Sequence, residues 1–472
     1  AAALLVGGYD GSGNYGDIVL LDAALALLEP LDPSLLVLPV VERQFASTHE
    51  ALAGEFVNRP RHVLYFDQDG GGGEDGLVPV PPPKGLNLGV SYLYGGGFLN
   101  PSWGERKLAM LRAVETLLRE AGTVTRFSSG LQVDAEWIGD LDVADKALLH
   151  GFELLGARDD ASVAALAQLG EGAKAINTGD DGVGILGELA ATDAHVEEDG
   201  PLEVNVHFAE HDWVTGRPDA VRDFDVGLLA ELSRLSGRKL RVRPLLAYLD
   251  PRVDERQGVR RFAAACEERG LEVGEPRVLR PANVAEVAAE MRGAALTVSC
   301  SFHIALTSLL LGLPTLLLND TGYYDQKARG LLADFDLPDA FAPRSTEDPK
   351  AAAAAIAPHV LEGETGRATR QRIVAAGSRV RRRRMEAEAD LLGSIGRGGL
   401  RAIGALAAPP PDEVAADDGA AEADAVAEAE ARAEEAERRA ADAHAQLGMV
   451  LGSTSWKATA PLRRLTRRLR GG

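Results

Sequence analysis

Short apolar runs closed by glycines and followed at once by helical spacing recur along this chain, and that alternation is what most narrows its fold. Ala2 to Gly7 leads into GGYDGSGNYGDIVLLDAALALL, with a helix expected from about Asp17 to Leu28. Leu88 to Leu93 is closed by Tyr94-Gly95-Gly96-Gly97-Phe98-Leu99, ahead of a helix from about Glu105 to Ala121. Ala294 to Val298 gives way at Ser301 and His303 to Ala305, Leu306, Leu309 and Leu310 at helical spacing, and a Gly312-Leu313-Pro314 turn leads to another strand. Strand, turn and helix repeated in this way build parallel sheets, and three glycine turns at strand ends suggest loops converging on one crevice.

In the first half, strands are expected near 3–7, 35–40, 62–66, 88–94, 123–128 and 152–156, interleaved with helices as in a doubly wound sheet. The stretch Asp67 to Gly76 and the Pro79 to Pro83 run read as a surface loop, and a hinge is expected near Glu188 to Gly200. The second half begins with Leu202 to Phe208 and continues through Leu240 to Pro244, Leu296 to Val298 and Thr315 to Leu318, with helices near 220–235, 254–269, 283–292 and 302–311. The expected class is α/β: two Rossmann-like domains, 1–195 and 196–345, in a GT-B-like arrangement, with helical segments over 346–408 packing on that core.

His303 would stand at the carboxyl end of a strand, the edge where open α/β sheets bind ligands. The adjacent helix start offers free N–H groups and a partial positive charge suited to a phosphate or carboxylate. Two readings stay open: Ser301 caps the helix and His303 is a packed core residue, or both belong to a site. The amino-terminal glycines are likewise a tight turn or a binding loop. Gly11, Gly13 and Gly16 have the G-x-G-x-x-G spacing, but no acid ends the next strand, placed at Leu35 to Val40, where a ribose would need one. No Lys-Ser/Thr pair follows, which excludes a nucleotide P-loop. His207, in VNVHF, faces the crevice or the core, and Asp320, Tyr324 and Lys327 follow the last strand as further candidates.

Together these elements resemble the polysaccharide pyruvyl transferase family over roughly residues 1–345. G-x-G-N-x-G-D matches Gly11 to Asp17, G-G-G-x-L matches Gly95 to Leu99, R-D-x-x-S matches Arg158, Asp159 and Ser162, and the S-x-H helix with its G-x-P turn matches Ser301, His303, Gly312 and Pro314. The resemblance implies transfer of the enolpyruvyl carbon of phosphoenolpyruvate onto two hydroxyls of a saccharide, giving a ketal and phosphate. Phosphoenolpyruvate is then the donor substrate, and no cofactor is needed. It implies His303 as acid/base or phosphate contact and Asp17 as the group that binds or activates an acceptor hydroxyl. Asn14, Gly16, Gly95, Gly96, Gly97, Arg158 and Ser301 would line the substrates. Ile18 and Ser301 depart from the family pattern, where Glu and Arg are frequent; without that arginine the anion falls to Ser301, backbone amides and Arg158 or Lys327. Two other functions remain: nucleotide-sugar glycosyl transfer on the same scaffold, although Ser299 to Leu311 holds no acid to grip a donor ribose, or a catalytically decayed scaffold acting through its tail.

A chain of 472 residues is ample for two cores plus an appendage. Two cysteines, Cys266 and Cys300, make no disulfide framework, and a reducing cytoplasm is the expected setting; Cys300 reads as a small buried residue or a reactive thiol. No apolar stretch reaches the roughly 20 residues of a membrane span, and Ala1 to Val6 lacks the charged lead of a signal peptide. No clustered metal-ligand motif occurs, and the net charge of −21 argues against nucleic-acid binding.

That charge is unevenly placed. Residues 412 to 442 hold twelve acids against three arginines, whereas Lys457 to Arg470 holds six bases and no acid. A proline and acidic linker is expected over 409–420 and an alanine-rich helix over 421–451. Val426, Ala429, Ala433, Ala436, Ala440, Ala443, Leu447 and Val450 give that helix a weak coiled-coil seam, so it is a solvated helix or a homodimer contact through 426–450. Residues 452–472 place Leu462, Leu465 and Leu469 on one face among arginines, with Trp456 nearby. That is either a solvated tail or a helix for an anionic membrane surface, where lipid-linked saccharide acceptors would be found.

Overall fold

The computed structural model describes residues 2–28, 36–52, 54–58, 60, 62–68, 77–79, 88–121, 125–189, 200–208, 217–248, 255–320, 322–361 and 363–407. The linker, alanine-rich helix and basic tail expected beyond residue 408, and most of the hinge near 188–200, lie outside the described residues.

The first sheet is built from β1 (Ala2–Val6), β2 (Leu36–Glu42), β3 (Leu64–Gln68), β4 (Leu77–Pro79), β5 (Leu88–Leu93), β6 (Gly96–Leu99), β7 (Thr125–Val133), β8 (Leu154–Ala157) and β9 (Ala175–Asn177). They are ordered β4-β3-β2-β1-β5-β7-β8-β9, with β6 also on β7. Every pairing is parallel except that of β3 with β4. The helices of this half are α1 (Tyr15–Leu28), α2 (Ala46–Ala51), α3 (Gly104–Ala121), α4 (Ala135–Asp140), α5 (Val143–His150), α6 (Asp160–Leu166) and α7 (Val183–Leu186). β1 lies mid-sheet, and Leu4, Leu5 and Val6 are fully buried, as a strand covered on both faces requires.

The second sheet holds β10 (Leu202–His207), β11 (Leu240–Leu246), β12 (Glu272–Val273), β13 (Arg277–Val278), β14 (Leu296–Ser299) and β15 (Thr315–Leu317). Its order is β12-β11-β10-β14-β15, with β13 also on β11, and it is parallel throughout. Its helices are α8 (Pro218–Ser236), α9 (Glu255–Glu268), α10 (Val284–Met291), α11 (Phe302–Leu310) and α12 (Gly322–Asp334). Gly312, at φ +87°, stops α11 in a conformation that costs glycine little, and Leu313 N–H bonds back to Ser308 O at 3.0 Å.

Three sequence expectations need correction. Asp67 and Gln68 belong to β3, and Pro79 ends an antiparallel edge strand where no further ladder bond is needed, so part of the expected surface loop is sheet. Gly96 to Leu99 forms a strand rather than only a turn, because Gly96 at φ +146° reaches a backbone angle closed to other residues. β2 runs two residues beyond Val40, and the acid thought to be missing there is the buried Glu42. Its carboxylate is taken by Arg106 and by Gln44.

α13 (Pro349–Val360) and α14 (Glu364–Ala407) follow the second sheet. α14 packs Ile373, Ala376 and Val380 into the core of the second domain and Leu391 into that of the first. Arg384, 1% exposed, ends in a buried ion pair with Asp181 of the first domain at 2.5 Å. One helix thus pins both domains.

Candidate active site

The carboxyl ends of both sheets open on one cleft of about 330 Å³. From the first domain, Asp10, Asn14, Asp17, Glu42, Gly96, Gly97, Arg106 and Lys107 reach it; from the second, His207, Glu255, Cys300, Ser301, His303, Tyr324 and Lys327 do. The domains meet at its floor through Tyr15. Its N–H donates to Ala247 O at 2.7 Å, and its hydroxyl lies 3.0 Å from Thr307 Oγ1.

Asn14 organises the first wall. Its Oδ1 accepts from Gly16 N at 2.8 Å and Asp17 N at 3.2 Å, capping α1 and leaving Asp17 free for the cleft. Burial, then the neighbouring Asp10, push the Asp17 carboxyl up to about 7, against the pull of Lys107 and Lys327. A carboxylate at a helix start would ordinarily be ionised, but this one is a half-protonated acid at neutral pH because desolvation outweighs the helix end. Burial, then Arg158, bring Lys327 down to about 7, and burial also lowers Lys107, whose Nζ donates to Gly7 O at 2.7 Å.

His303 starts α11 but is gripped by the first domain. Its ring packs against Gly16, and Nε2 lies 3.5 Å from Asp180 Oδ1. Asp180 also faces Arg158 at 3.7 Å and is held down to about 2, because His303 and Arg158 outweigh its burial. Burial lowers the His303 pKa despite Asp180, with Lys327 and Arg158 adding to the fall. The ring is therefore neutral near pH 7, and a proton on Nε2 facing Asp180 leaves Nδ1 as the basic nitrogen. His303 is thus a buried, ion-paired residue that also lines the cleft.

A second histidine lies on the opposite wall. His207 Nε2 is 3.2 Å from Glu255 Oε1, and its Nδ1 is 3.4 Å from Cys300 Sγ. Glu255 is fixed in turn by Ala247 N at 2.8 Å and Tyr248 N at 2.9 Å. Although burial favours the neutral ring, Cys300 and Glu255 raise His207 to about 10.

Other expected site residues fall elsewhere. Asp320 accepts from Ser345 N at 2.8 Å and is not among the residues that line the cleft. Arg158 lies behind the cleft wall, its guanidinium 4.0 Å from the Phe302 ring centre and bonded to Gln132. Asp159 and Ser162 of the same motif cap α6 and accept from Val133 N. Gly95 serves as a backbone support, donating to Asp181 Oδ2 at 2.6 Å. Ser301 lies in the cleft with no side-chain cap to its helix; Ser299 Oγ accepts from its N–H at 2.9 Å.

Sequence reasoning missed Asp180, Asp181, Glu255, Arg106 and Lys107. The Thr178-Gly179-Asp180-Asp181-Gly182 turn, an acid pair between glycines after a strand, was the available signal. Among the described residues, no group of three or more His, Cys, Asp and Glu is placed to hold a metal, and no helix is long and apolar enough to cross a membrane.

Two parallel α/β domains that face a shared cleft with their strand ends define a GT-B-like protein. A UDP-N-acetylglucosamine 2-epimerase structure aligns with a TM-score of 0.50 at 13% identity, covering 88% of this chain and 99% of that one. The epimerase from Methanocaldococcus jannaschii aligns at 0.47 and 13% identity over 77% and 93% of the two chains. A UDP-glucose: anthocyanidin 3-O-glucosyltransferase in complex with UDP aligns at 0.48 and 12% identity over 84% and 99%. No curated protein sequence matches. The chain belongs to the polysaccharide pyruvyl transferase family, whose sequence profile matches residues 14–321.

Proposed function

We propose that the protein transfers the pyruvyl group of phosphoenolpyruvate to a saccharide as a ketal. The observation that carries this reading is that Asp17, raised to about 7, and the neutral His303 share one cleft with Lys107, Lys327 and Arg106. The reaction needs a proton for the vinyl carbon, a base for the hydroxyls and cations for a carboxylate and a phosphate. Asp17 supplies the proton, His303 takes one from the attacking hydroxyl, and the lysines receive the donor anion. Of the two hydroxyl protons, one ends in the new methyl group and the other leaves with phosphate, so no redox partner is required.

The assignment of acid and base follows electrostatics. A bound trianion raises the affinity of nearby groups for protons, so it charges Lys327 and keeps Asp17 protonated together. Nucleotide-sugar glycosyl transfer draws on the fold alone. The test is phosphate release from labelled phosphoenolpyruvate across a panel of saccharides and lipid-linked saccharides, with nucleotide sugars as controls. Acceptor-dependent release supports the reading; turnover of nucleotide sugars alone refutes it.

The lipid-linked acceptor, a cytoplasmic location and recruitment to an anionic membrane by residues 452–472 belong to the same proposal. Six bases near a charged surface contribute about 1 kcal/mol each at best, screened by salt. Sedimentation with anionic liposomes should separate the full chain from one ending at Gly452, and equal, salt-independent binding would contradict it.

A further inference from the structure

Cys300, His207 and Glu255 form a chain of contacts that acid/base transfer by Asp17 and His303 does not use. Glu255 Oε1 faces Nε2 of His207 at 3.2 Å and Cys300 Sγ faces Nδ1 at 3.4 Å, so the ring that these two neighbours keep protonated holds one N–H on each of them. The two contacts use opposite ring nitrogens, so the three side chains cannot converge on one metal ion. All three line the cleft, and Tyr324 packs against the thiol. Glu255 is doubly anchored by the amides of Ala247 and Tyr248, next to the joint where Ala247 O accepts from Tyr15 N. Among the described residues, Asp225 of α8 also interacts with His207, and it is raised to about 8 by burial and then by Asp320. A nucleophile, its base and a third group orienting the base is the arrangement that activates thiols.

We propose that Cys300 is a nucleophile of this cleft, with His207 and Glu255 as its positioning residues, and that its electrophile is the phosphate-bearing carbon of the enol phosphate donor. The donor part rests on the pyruvyl-transfer reading. As Cys300 Sγ bonds to that carbon, the one proton it shares with His207 stays on Nδ1 of the imidazolium, so sulfur attacks as the thiolate, and the alkene electron pair takes the Asp17 proton to become a methyl group. Nothing leaves in this step, so the adduct carries the whole donor. The carbon–oxygen bond to phosphate then breaks with its electron pair as one acceptor oxygen bonds. The second acceptor oxygen displaces sulfur, which leaves as the thiolate facing the Nδ1–H of His207. One hydroxyl proton restores Asp17, and the other departs with phosphate.

The chain carries its own control, since Cys266 is buried in the core and pushed up to about 12 by desolvation. Intact protein is treated with iodoacetamide and each cysteine is followed by mass spectrometry over a pH series. Cys300 should react at least about ten-fold faster than Cys266 at neutral pH, lose that lead in His207→Gln except at alkaline pH, and be shielded by phosphoenolpyruvate. Glu255→Gln, which keeps the shape of the side chain, should fall between the two. Equal rates for both cysteines, or a His207→Gln profile like wild type, overturns the relay.

Acid quenching after phosphoenolpyruvate without acceptor should leave one intact donor on Cys300, absent from Cys300→Ser. Full transfer by Cys300→Ser overturns the nucleophilic role while transfer itself stands. If wild type turns over no phosphoenolpyruvate at all, the transfer reading fails and the adduct with it, and the labelling contrast still decides the relay.

Discussion

Gly16 of the first domain and His303 of the second are in direct contact: a Cβ placed on Gly16 would overlap Nδ1 of the imidazole. The G-x-G-N-x-G-D turn therefore does more than bend the chain. Its last glycine is absent side-chain volume, occupied by a ring from the other domain.

Gly16→Ala should displace that ring while leaving most of the fold intact, because Gly16 already has helical geometry in α1. A shift of about 1 Å at a reacting group costs about 10²-fold. Transfer should fall by that order in steady-state assays, with thermal unfolding little changed.

His303→Ala should lose about 10² to 10⁴ in turnover in a folded protein. Asp180→Asn removes the charge that holds the His303 pKa up against burial, so the ring becomes a weaker base. Turnover should fall, and the acid limb of the pH–rate curve should move to lower pH.

Asp17 is expected to set the alkaline limb. With its carboxyl at about 7, activity of the free enzyme, read as kcat/KM, falls as pH rises through that value. Asp17→Asn should abolish transfer. In kcat the limb should be more alkaline, since bound donor anion raises the Asp17 pKa further.

The same shift has a signed consequence for stability. Between the ordinary value of 3.8 and about 7 the folded state holds a proton that the unfolded chain has released, so stability falls as pH rises through that window. Asp17→Asn removes this cost. Part of Asp17 is open to the cleft, so the gain at pH 8 should be about 1–2 kcal/mol, fading towards pH 4. Denaturant melts at the two pH values check it.

Arg384 and Asp181 tie α14 to the loops under the first wall, because Asp181 also accepts from Gly95 N and Ser129 Oγ. Arg384→Met leaves a buried charge without its partner and should cost about 3–5 kcal/mol. Urea melts give the size, and loss of transfer at temperatures where the protein remains folded would show the loops moving.

Much of the architecture was legible because parallel strands buried on both faces write short apolar runs, and the helices between them write their own spacing. Strands at Leu202, Leu240, Leu296 and Thr315 begin where the pattern puts them. β6 and β9 escaped because they are short, the first glycine-rich and the second half-exposed. Asp17 and His303 could be singled out because each stands at a strand-to-helix junction. Their electrostatics were not legible, since the burial that raises Asp17 and lowers His303 comes from residues far along the chain. Arg384 reads as one more arginine in the run Arg381 to Arg384, and only the fold selects it for burial.

The most direct test of the account is ¹³C NMR of the carbon that bears phosphate in labelled phosphoenolpyruvate, followed with a saccharide acceptor and with wild type, Asp17→Asn and His303→Ala in parallel. The account predicts that the vinyl signal gives way to a ketal carbon and a new methyl group with wild type, and persists with both variants. A ketal formed at the wild-type rate by either variant would contradict the roles given to Asp17 and His303.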